Sequence, residues 1–524
     1  MTSHPVPREL ASLPPPLAIG SRAIRIEELG AVARGERTVR LDPDPALRSR
    51  LAAGRSALER ALREGRSVYG VTTGVGSSVH VAVAPEQRAR MPLDLVRFHG
   101  CGTGRLLDPE EAAAVVAARL VSLARGWSAV RPALLERLCE LLERRILPCI
   151  PSEGSVGASG DLTPLSYLAA LVVGDREALV DGAVVDARDA LARAGLAPLA
   201  LEPKESLALM NGTSVMTGLG CLAFERAARL ARVACAATAM AVRAVRGNAA
   251  HFDERIFASK PHRGTLRAGA WIRADLGDEE GAPAQLQDRY SLRCAPHVVG
   301  VLLDALAHAR ELLEIELNGV SDNPLVDPDS GAVLHGGNFY GGHVAFCMDG
   351  LKAAVASVAD LLDRQVQLLC APATSAGLPE NLIRAPAHHG MKAMQISTSA
   401  LAAEAQKLTM PAAAFSRSTE SHNQDKVSMG TIAARDALRV LELAETVAAI
   451  HLLVACQAVD LRYGDGRPPA RVGALREAIR ACVPPLDTDR RQDRDIEHVL
   501  ARLRDGRLPY GAADVASATA AAPC

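Results

Sequence analysis

The sequence predicts a mainly α-helical protein, because both its residue types and its apolar spacing favour helices. Ala, Leu, Arg and Glu are abundant, whereas the 524 residues include only 7 Phe, 2 Trp and 6 Tyr, the aromatic types that strands prefer. Apolar residues recur at helical spacing over four long segments, 219–245, 298–317, 343–370 and 431–461. These lengths exceed those of most globular helices and are typical of a bundle of long helices.

Three stretches of the chain differ in character. Residues 1–204 contain short helical patterns separated by Gly-rich turns, whereas long helical patterns begin at Glu205 and continue to about residue 480. We therefore expect a loop-rich N-terminal region (1–204), a central bundle of long helices (205–480) and a helical tail (481–524). Loops rich in Gly, Asn and Asp interrupt the bundle, and catalytic groups are often placed on such loops.

The composition argues against several classes of function. Lys plus Arg number 59 and Asp plus Glu number 60, so no basic surface that would bind nucleic acid or an anionic membrane is expected. The 11 cysteines include no C-x-x-C pair, which argues against a zinc site and a secreted disulfide framework. The best apolar run, 447–456, is too short to span a bilayer. We expect a soluble cytoplasmic protein without a metal.

One glycine-rich stretch, Gly154-Ser-Val-Gly-Ala-Ser-Gly-Asp-Leu162, carries the most specific signal in the chain. Taken alone, Ser159 fits a helix N-cap with Asp161 in the first turn. A nucleophile elbow of the G-x-S-x-G type is excluded, because Asp161 stands where that motif requires its last glycine.

The triplet Ala158-Ser159-Gly160 also permits a reaction of the backbone itself. The Gly160 nitrogen can attack the Ala158 carbonyl to close a five-membered ring, and loss of water converts the Ser159 side chain into an exocyclic methylidene. Glycine at 160 offers the least steric obstruction to this close approach. The product is a methylidene-imidazolone, an electrophile that no amino-acid side chain provides.

With Gly154-Ser155 before it and Asp161-Leu162 after it, the triplet strongly resembles the signature of the histidine, phenylalanine and tyrosine ammonia-lyases. The resemblance extends over roughly residues 25–480. It implies an L-aspartase/fumarase-like fold and a 4-methylidene-imidazol-5-one formed autocatalytically from the triplet, with no metal or diffusible cofactor. It also implies a homotetramer whose active sites are shared between chains and take an aromatic amino acid as substrate.

Further motifs resemble the same family. The loop that begins Tyr69-Gly-Val-Thr-Thr-Gly resembles the family's Tyr-Gly loop, which implies that Tyr69 is the base for the β-proton; Val75 replaces the usual Phe there. The segment from Gln287 to Arg293 resembles the one that supplies a second catalytic tyrosine, Tyr290, and the arginine that binds the substrate carboxylate. The resemblance also implies substrate contacts for Phe98, His99, Leu207, Asn211, Gln287, Asn323, Phe339, Glu420 and Gln424.

Phe98-His99 matches the position that meets the far end of the substrate ring in the family. Phe98 resembles phenylalanine lyases, whereas a His at 99 occurs in histidine lyases and some tyrosine lyases. Gln424 stands where histidine lyases typically carry a Gln-Glu pair, which together with the 335–340 motif favours tyrosine or phenylalanine. Histidine as substrate, a 2,3-aminomutase using the same cofactor, and a non-catalytic helical scaffold remain the alternatives.

Overall fold

The computed structural model describes residues 14–278 and 281–510, and helices dominate it as predicted. The α-helices of the described residues are α1 (Ile26–Ala33), α2 (Pro45–Arg63), α3 (Pro85–Arg88), α4 (Met91–Phe98), α5 (Pro109–Leu123), α6 (Pro132–Glu143), α7 (Leu162–Val172), α8 (Ala187–Arg193), α9 (Glu205–Met210), α10 (Ser214–Ala244), α11 (Glu254–Ala258), α12 (Arg263–Leu276), α13 (Tyr290–Arg293), α14 (Ala295–Asn318), α15 (Gly342–Cys370), α16 (Lys392–Lys407), α17 (Gly430–Tyr463), α18 (Ala470–Arg480) and α19 (Asp493–Arg504). The four long segments predicted from apolar spacing correspond, in chain order, to the four long helices α10, α14, α15 and α17.

The strands are short. They are β1 (Leu17–Ile19), β2 (Val39–Leu41), β3 (Thr103–Leu106), β4 (Leu147–Pro148), β5 (Pro151–Glu153), β6 (Glu177–Val180), β7 (Ala183–Asp186), β8 (Leu325–Val326) and β9 (Val333–Leu334). β1 pairs with β2 in parallel, and the pairs β3–β5, β4–β6, β6–β7 and β8–β9 are antiparallel. The β3–β5 register pairs Thr103 with Glu153, so the chain that follows His99 runs beside the chain that leads to Ser159.

Helix α5 illustrates how the sequence sets an element of the N-terminal region. It begins with a proline after Asp108, and the Glu111 carboxylate accepts a hydrogen bond from the Asp108 main-chain nitrogen at 2.9 Å, as in a capping box. The residues from Ala112 to Leu123 are all buried. Because this stretch is apolar on every side, it lies inside the protein, and Arg119 is the one charged residue between Ala112 and Leu123.

The described residues divide into two compact units, each assembled from three separate segments. The first contains the described part of Met1–Leu222 together with Glu311–Met348 and Pro411–Arg435; the second contains the described parts of Ala223–Arg310, Asp349–Met410 and Asp436–Cys524. All nine strands belong to the first unit. The division of the sequence at residues 204 and 480 stays a prediction about sequence character.

No helix within residues 14–278 and 281–510 is both long enough and apolar enough to cross a membrane.

Candidate active site

The Ala158-Ser159-Gly160 triad forms a tight turn against a neighbouring segment. Both Ser159 (φ 52°) and Gly160 (φ 72°) are in the left-handed region, where glycine is favoured. The main-chain nitrogen of Asp161 donates to the Gly212 carbonyl at 2.8 Å, and the Gly212 nitrogen donates to the Ser159 carbonyl at 3.3 Å. A Cβ on Gly160 would overlap the Gly212 carbonyl. Glycine is therefore required at 160, and Gly212 holds the turn from both sides.

Asp161, directly after the triad, is fully buried and satisfied by several donors. Its carboxylate accepts from the main-chain nitrogens of Val215 and Met216, both at 3.0 Å, in the first turn of α10. The hydroxyls of Thr431 and Ser155 also donate to it. Burial raises the pKa of Asp161 to about 6, although these hydrogen bonds oppose the shift. Asp161 thus ties the triad to the start of α10.

Helix α7, which follows the triad, begins at Leu162 with Asp161 as its N-cap residue, so the interpretation of Ser159 as a helix N-cap is wrong. The Ser159 hydroxyl instead accepts a hydrogen bond from Nε2 of Gln424 at 3.4 Å. The Gln424 carbonyl oxygen Oε1 in turn accepts from the Thr419 hydroxyl at 3.0 Å, which orients the amide. Gln424 is therefore a predicted site residue that contacts the triad directly.

Tyr69 lies in a turn that is anchored on both sides. Its neighbours Val68 and Val71 are buried in one hydrophobic cluster, which fixes the backbone of the turn. Gly70 has φ 65°, and a Cβ there would overlap the side chain of Leu207. Leu207 thus packs directly against the turn that carries Tyr69.

The phenol of Tyr69 lines a cleft of about 470 Å³. The cleft is lined by Ser67, Tyr69, Thr73, Val79, Asn323, His335 and Gly336. The Tyr69 oxygen accepts a hydrogen bond from the Gly76 nitrogen at 2.7 Å. Burial raises the pKa of Tyr69, the negative charge of Glu420 adds to the rise, and the Gly76 hydrogen bond opposes it.

Glu420 lies beside the Tyr69 loop. Its carboxylate accepts from the main-chain nitrogen of Ser77 at 3.0 Å and from the Ser77 hydroxyl at 2.8 Å. Glu420, Ser421 and His422 all have positive φ, and the turn that they form is closed by a hydrogen bond between Thr419 and Gln424. This strained turn brings Glu420 to the Tyr69 loop and Gln424 to the triad.

Asn211 is the C-cap residue that follows α9, and it directly precedes Gly212. It is 3% exposed, and its side-chain oxygen Oδ1 has no hydrogen-bond partner among the described residues. Leaving a buried acceptor unpaired costs about 1–3 kcal/mol, so a partner supplied by cofactor or substrate is expected. The glycine at 160, the Gln424 amide and this unpaired oxygen fit the imidazolone ring that the triad would form.

Asn323 and Phe339 belong to the same compact unit. The Asn323 side-chain oxygen accepts from the Gly336 nitrogen at 2.9 Å, which joins the Asn323 loop to the segment that leads to Phe339. Phe339 is half-buried.

His99 and Phe98 lie at the end of α4 with their rings 3.9 Å apart between centroids. The His99 Nδ1 is 2.9 Å from the Leu95 carbonyl. Because a carbonyl only accepts, Nδ1 carries the proton and Nε2 keeps its lone pair. Burial lowers the pKa of His99, so the ring is neutral near pH 7. Phe98 is 60% exposed and lines a second cleft of about 490 Å³ with Met91 and Leu95.

Gln287, Tyr290 and Arg293 lie in the second compact unit, whereas the other predicted site residues lie in the first. Tyr290 is 72% exposed, and Gln287 is exposed as well. The Arg293 guanidinium lies 4.6 Å from the centre of the Tyr290 ring, and its Nε donates to the Asp288 carbonyl at 2.9 Å. Short-range contacts thus order this segment and leave Tyr290 at the surface.

Arg119, a fully buried cation of α5 beside Asn211, was not among the site residues predicted from the sequence. Its guanidinium donates to the carbonyls of Ala208 and Asn211. A lone arginine in an otherwise apolar helical run was the available signal, since a buried charge needs a structural or functional reason.

Known proteins resemble this chain over most of its length. The family described as aromatic amino acid lyase matches residues 24–481, which is most of the chain. The chain belongs to this family. Two curated relatives are the histidine ammonia-lyase of Sorangium cellulosum, 40% identical over 93% of this chain and 97% of its own length, and the MIO-dependent tyrosine 2,3-aminomutase of Streptomyces globisporus, 39% identical over 94% and 96%.

A solved structure, the histidine ammonia-lyase from Trypanosoma cruzi, has a TM-score of 0.88 at 30% identity and covers 97% of this chain and 98% of its own. As an aromatic amino acid lyase, the protein is a carbon–nitrogen lyase family enzyme with ammonia-lyase or aminomutase chemistry. The predicted family, enzyme class and mainly α fold are confirmed. The methylidene-imidazolone is characteristic of the family. The roles of individual residues stay predictions.

Proposed function

We propose that this aromatic amino acid lyase removes ammonia from an aromatic L-amino acid, with tyrosine favoured, and releases the trans-arylacrylate. The observation that carries the proposal is the triad turn, closed on Gly212 beside the unpaired Asn211 oxygen. A merely structural turn would have no use for a buried acceptor without a partner. The triad, Tyr69, Tyr290 and Arg293 are all intact, which argues against a non-catalytic scaffold.

The 4-methylidene-imidazol-5-one derived from Ala158-Ser159-Gly160 supplies the electrophile that activates the substrate amine for departure. Gly212 and Asn211 would hold the ring on one side, and the Gln424 amide would face the former Ser159 side chain. No metal or diffusible cofactor is required for this chemistry.

Tyr69 is proposed as the general base that takes the β-proton, because it is the half-buried titratable group that lines the 470 Å³ cleft with Asn323. Only its phenolate can act, and burial raises its pKa above the ordinary value of about 10. The Gly76 N–H stabilises the phenolate by donating to it. Leu207, Phe339 and Glu420 would line the substrate around this base.

Arg293 is proposed to bind the substrate carboxylate through its forked guanidinium, with Gln287 and Tyr290 beside it. We further propose that the enzyme is a homotetramer and that each active site takes residues from three chains. Large apolar side chains exposed on the long helices, Val301 and Ile315 on α14 among them, support association because a soluble protein seldom leaves such groups in water.

The protonation of His99 supports tyrosine over phenylalanine as the substrate. Its neutral Nε2 can accept a hydrogen bond from a phenol hydroxyl at the far end of the substrate ring, and phenylalanine has no such donor. Histidine is the second candidate, since its ring N–H could donate to the same nitrogen and several relatives are named histidine ammonia-lyases. A 2,3-aminomutase is the third, since one relative is a tyrosine 2,3-aminomutase.

Incubation with tyrosine, phenylalanine and histidine separately tests the proposal. We expect arylacrylate absorbance to rise fastest with tyrosine, with ammonia released in equal amount. Chromatography of early time points distinguishes the aminomutase, because a β-amino acid would then accumulate before any arylacrylate. Urocanate formation from histidine with no product from tyrosine would contradict the proposed substrate.

A further inference from the structure

Arg119 of α5 has an unusual set of partners for a fully buried arginine. Its Nε donates to the Ala208 carbonyl at 2.8 Å, and its Nη2 donates to the carbonyls of Ala208 and Asn211, the latter at 2.8 Å. Its Nη1 donates to the Ser321 hydroxyl at 3.3 Å. The guanidinium therefore donates to main-chain carbonyls and one hydroxyl, and none of these partners among the described residues is a carboxylate.

Arg232 of α10 provides the contrast, because it is equally buried but binds a carboxylate through two hydrogen bonds. Its Nη1 and Nη2 donate to the two Asp275 oxygens at 2.6 and 2.8 Å. Arg119 has no such partner in contact. Burial lowers the pKa of Arg119 to about 10, and the more distant charges of Asp322 and Asp161 oppose the fall. A buried cation that stabilises no carboxylate directly calls for another role.

The carbonyls that Arg119 binds belong to the end of α9, where helical carbonyls lack partners within the helix. The next residue, Gly212, lies between the guanidinium and the triad. A Cβ on Gly212 would overlap Arg119 Nη1 on one side, and Gly160 contacts the Gly212 carbonyl on the other. Arg119 thus fixes the short segment against which the Ser159–Gly160 turn is closed.

We infer that Arg119 is a positioning residue for formation of the cofactor, an inference that rests on the proposed function. By holding Asn211 and Gly212, it keeps the two hydrogen bonds of Gly212 in place, to the Asp161 nitrogen and the Ser159 carbonyl. Those bonds hold the turn closed for attack of the Gly160 nitrogen on the Ala158 carbonyl carbon.

The chemistry that the turn must support consists of one ring closure and two dehydrations. A bond forms between the Gly160 nitrogen and the Ala158 carbonyl carbon, and the Gly160 amide proton passes to the carbonyl oxygen. That hydroxyl leaves as water with the Ser159 amide proton, which forms the ring C=N bond. The Ser159 hydroxyl then leaves as water with its Cα hydrogen, which forms the methylidene. No oxidant or reductant is needed.

The test compares Arg119→Met and Arg119→Lys with Arg232→Met and Arg232→Lys, which remove or shorten an equally buried arginine elsewhere. Intact mass measures the fraction of chains that have lost two waters, and circular dichroism and the thermal midpoint measure folding. We expect complete dehydration in the parent and in both Arg232 variants. Arg119→Met should contain at least tenfold less of the dehydrated form, and Arg119→Lys an intermediate amount, because lysine keeps the charge but loses the fork.

The dehydrated fraction of the Arg119→Lys protein provides a second readout. Once the active sites of Arg119→Lys have been counted by titration, steady-state rates should give those sites a KM near that of the parent. The reason is that Arg119 acts on formation of the ring and does not touch substrate. If Arg119→Met is insoluble, Ser321→Ala replaces it. This change removes one acceptor of the guanidinium, an oxygen that also accepts from the Thr213 main-chain nitrogen, and it too should slow dehydration.

Each outcome decides between the proposals. A parent protein that has lost no water overturns the cofactor itself, independently of Arg119. A dehydrated parent together with soluble Arg119→Lys and Ser321→Ala variants that dehydrate as fast as the parent overturns the role of Arg119. The same loss of dehydration in the Arg232 variants also overturns it, because general destabilisation would then explain the effect.

Discussion

The triad turn of the first compact unit and the Gln287–Arg293 segment of the second differ in how their chemistry is supported. Around the triad, Asp161 and Asn211 are buried, and Gly212 binds the turn through two main-chain hydrogen bonds. In the other segment, Tyr290 is 72% exposed, and Leu286, directly before the segment, is 84% exposed. The polar groups around the triad are thus buried within the chain, whereas Tyr290 of the other segment lies at a surface.

This difference has a physical consequence for mutations. Changes at the triad alter buried polar groups and a strained turn, so they should affect formation of the electrophile. Changes at the exposed Tyr290 or the half-buried Arg293 remove groups whose contacts are local, so they should leave the fold intact and weaken substrate binding or chemistry. The predictions below test this contrast.

The largest effect is expected for Ser159→Ala, which permits ring closure but leaves no hydroxyl to eliminate. Activity should fall at least ~1000-fold, or about 4 kcal/mol of transition-state stabilisation, while circular dichroism stays unchanged. Ser259→Ala, at the end of α11, is the matched control and should keep full activity. If the activity of Ser159→Ala stays within a few-fold of the parent, the cofactor assignment is contradicted.

Co-expression of Tyr69→Phe with Arg293→Ala tests whether the two regions meet across chains. Each variant alone should be nearly inactive, since loss of a general base costs about 10²–10⁴-fold. Equal random mixing should restore roughly a quarter of the sites, because those sites contain neither lesion.

Co-expression of Tyr290→Phe with Arg293→Ala is the control for this experiment. Both residues lie in α13, so every site would receive one lesion or the other and no activity should return. Tagged mixtures of Tyr69→Phe and Arg293→Ala that are shown to be mixed, yet stay as inactive as their parents, would place complete sites within single chains.

His99→Leu should lower kcat/KM for tyrosine relative to phenylalanine. Loss of the Nε2 acceptor leaves the substrate phenol unpaired, which costs about 1–3 kcal/mol. His389→Leu, on an exposed histidine of the second unit, controls for loss of an imidazole elsewhere. An unchanged ratio of the two rates would make His99 purely structural.

The smallest effect concerns pH. Because burial raises the pKa of Tyr69, the phenolate fraction below that pKa grows with pH, and kcat/KM should rise by about tenfold per unit above pH 8. Tyr510 is a matched control, since burial raises its pKa too and its hydroxyl has no partner among the described residues. Tyr510→Phe should keep the profile. A rate that peaks in mildly acidic buffer would contradict Tyr69 as the base.

The amino-acid sequence by itself determined the local features of this protein. Apolar spacing predicted the long helices such as α10 and α17, because a repeat near 3.6 residues depends only on neighbours in the chain. The triad and the Tyr69 loop could also be recognised from the sequence, because each motif consists of contiguous residues. For these features local pattern and tertiary structure agree.

Only the tertiary structure decided how distant segments complete the candidate site. Gln424 reaches Ser159 across 265 positions of the chain, and Arg119 reaches Ala208 across 89. Periodicity carries no record of such contacts, because burial and hydrogen-bond partners arise when the chain packs. For the same reason the exposure of Tyr290 could not be anticipated from its motif.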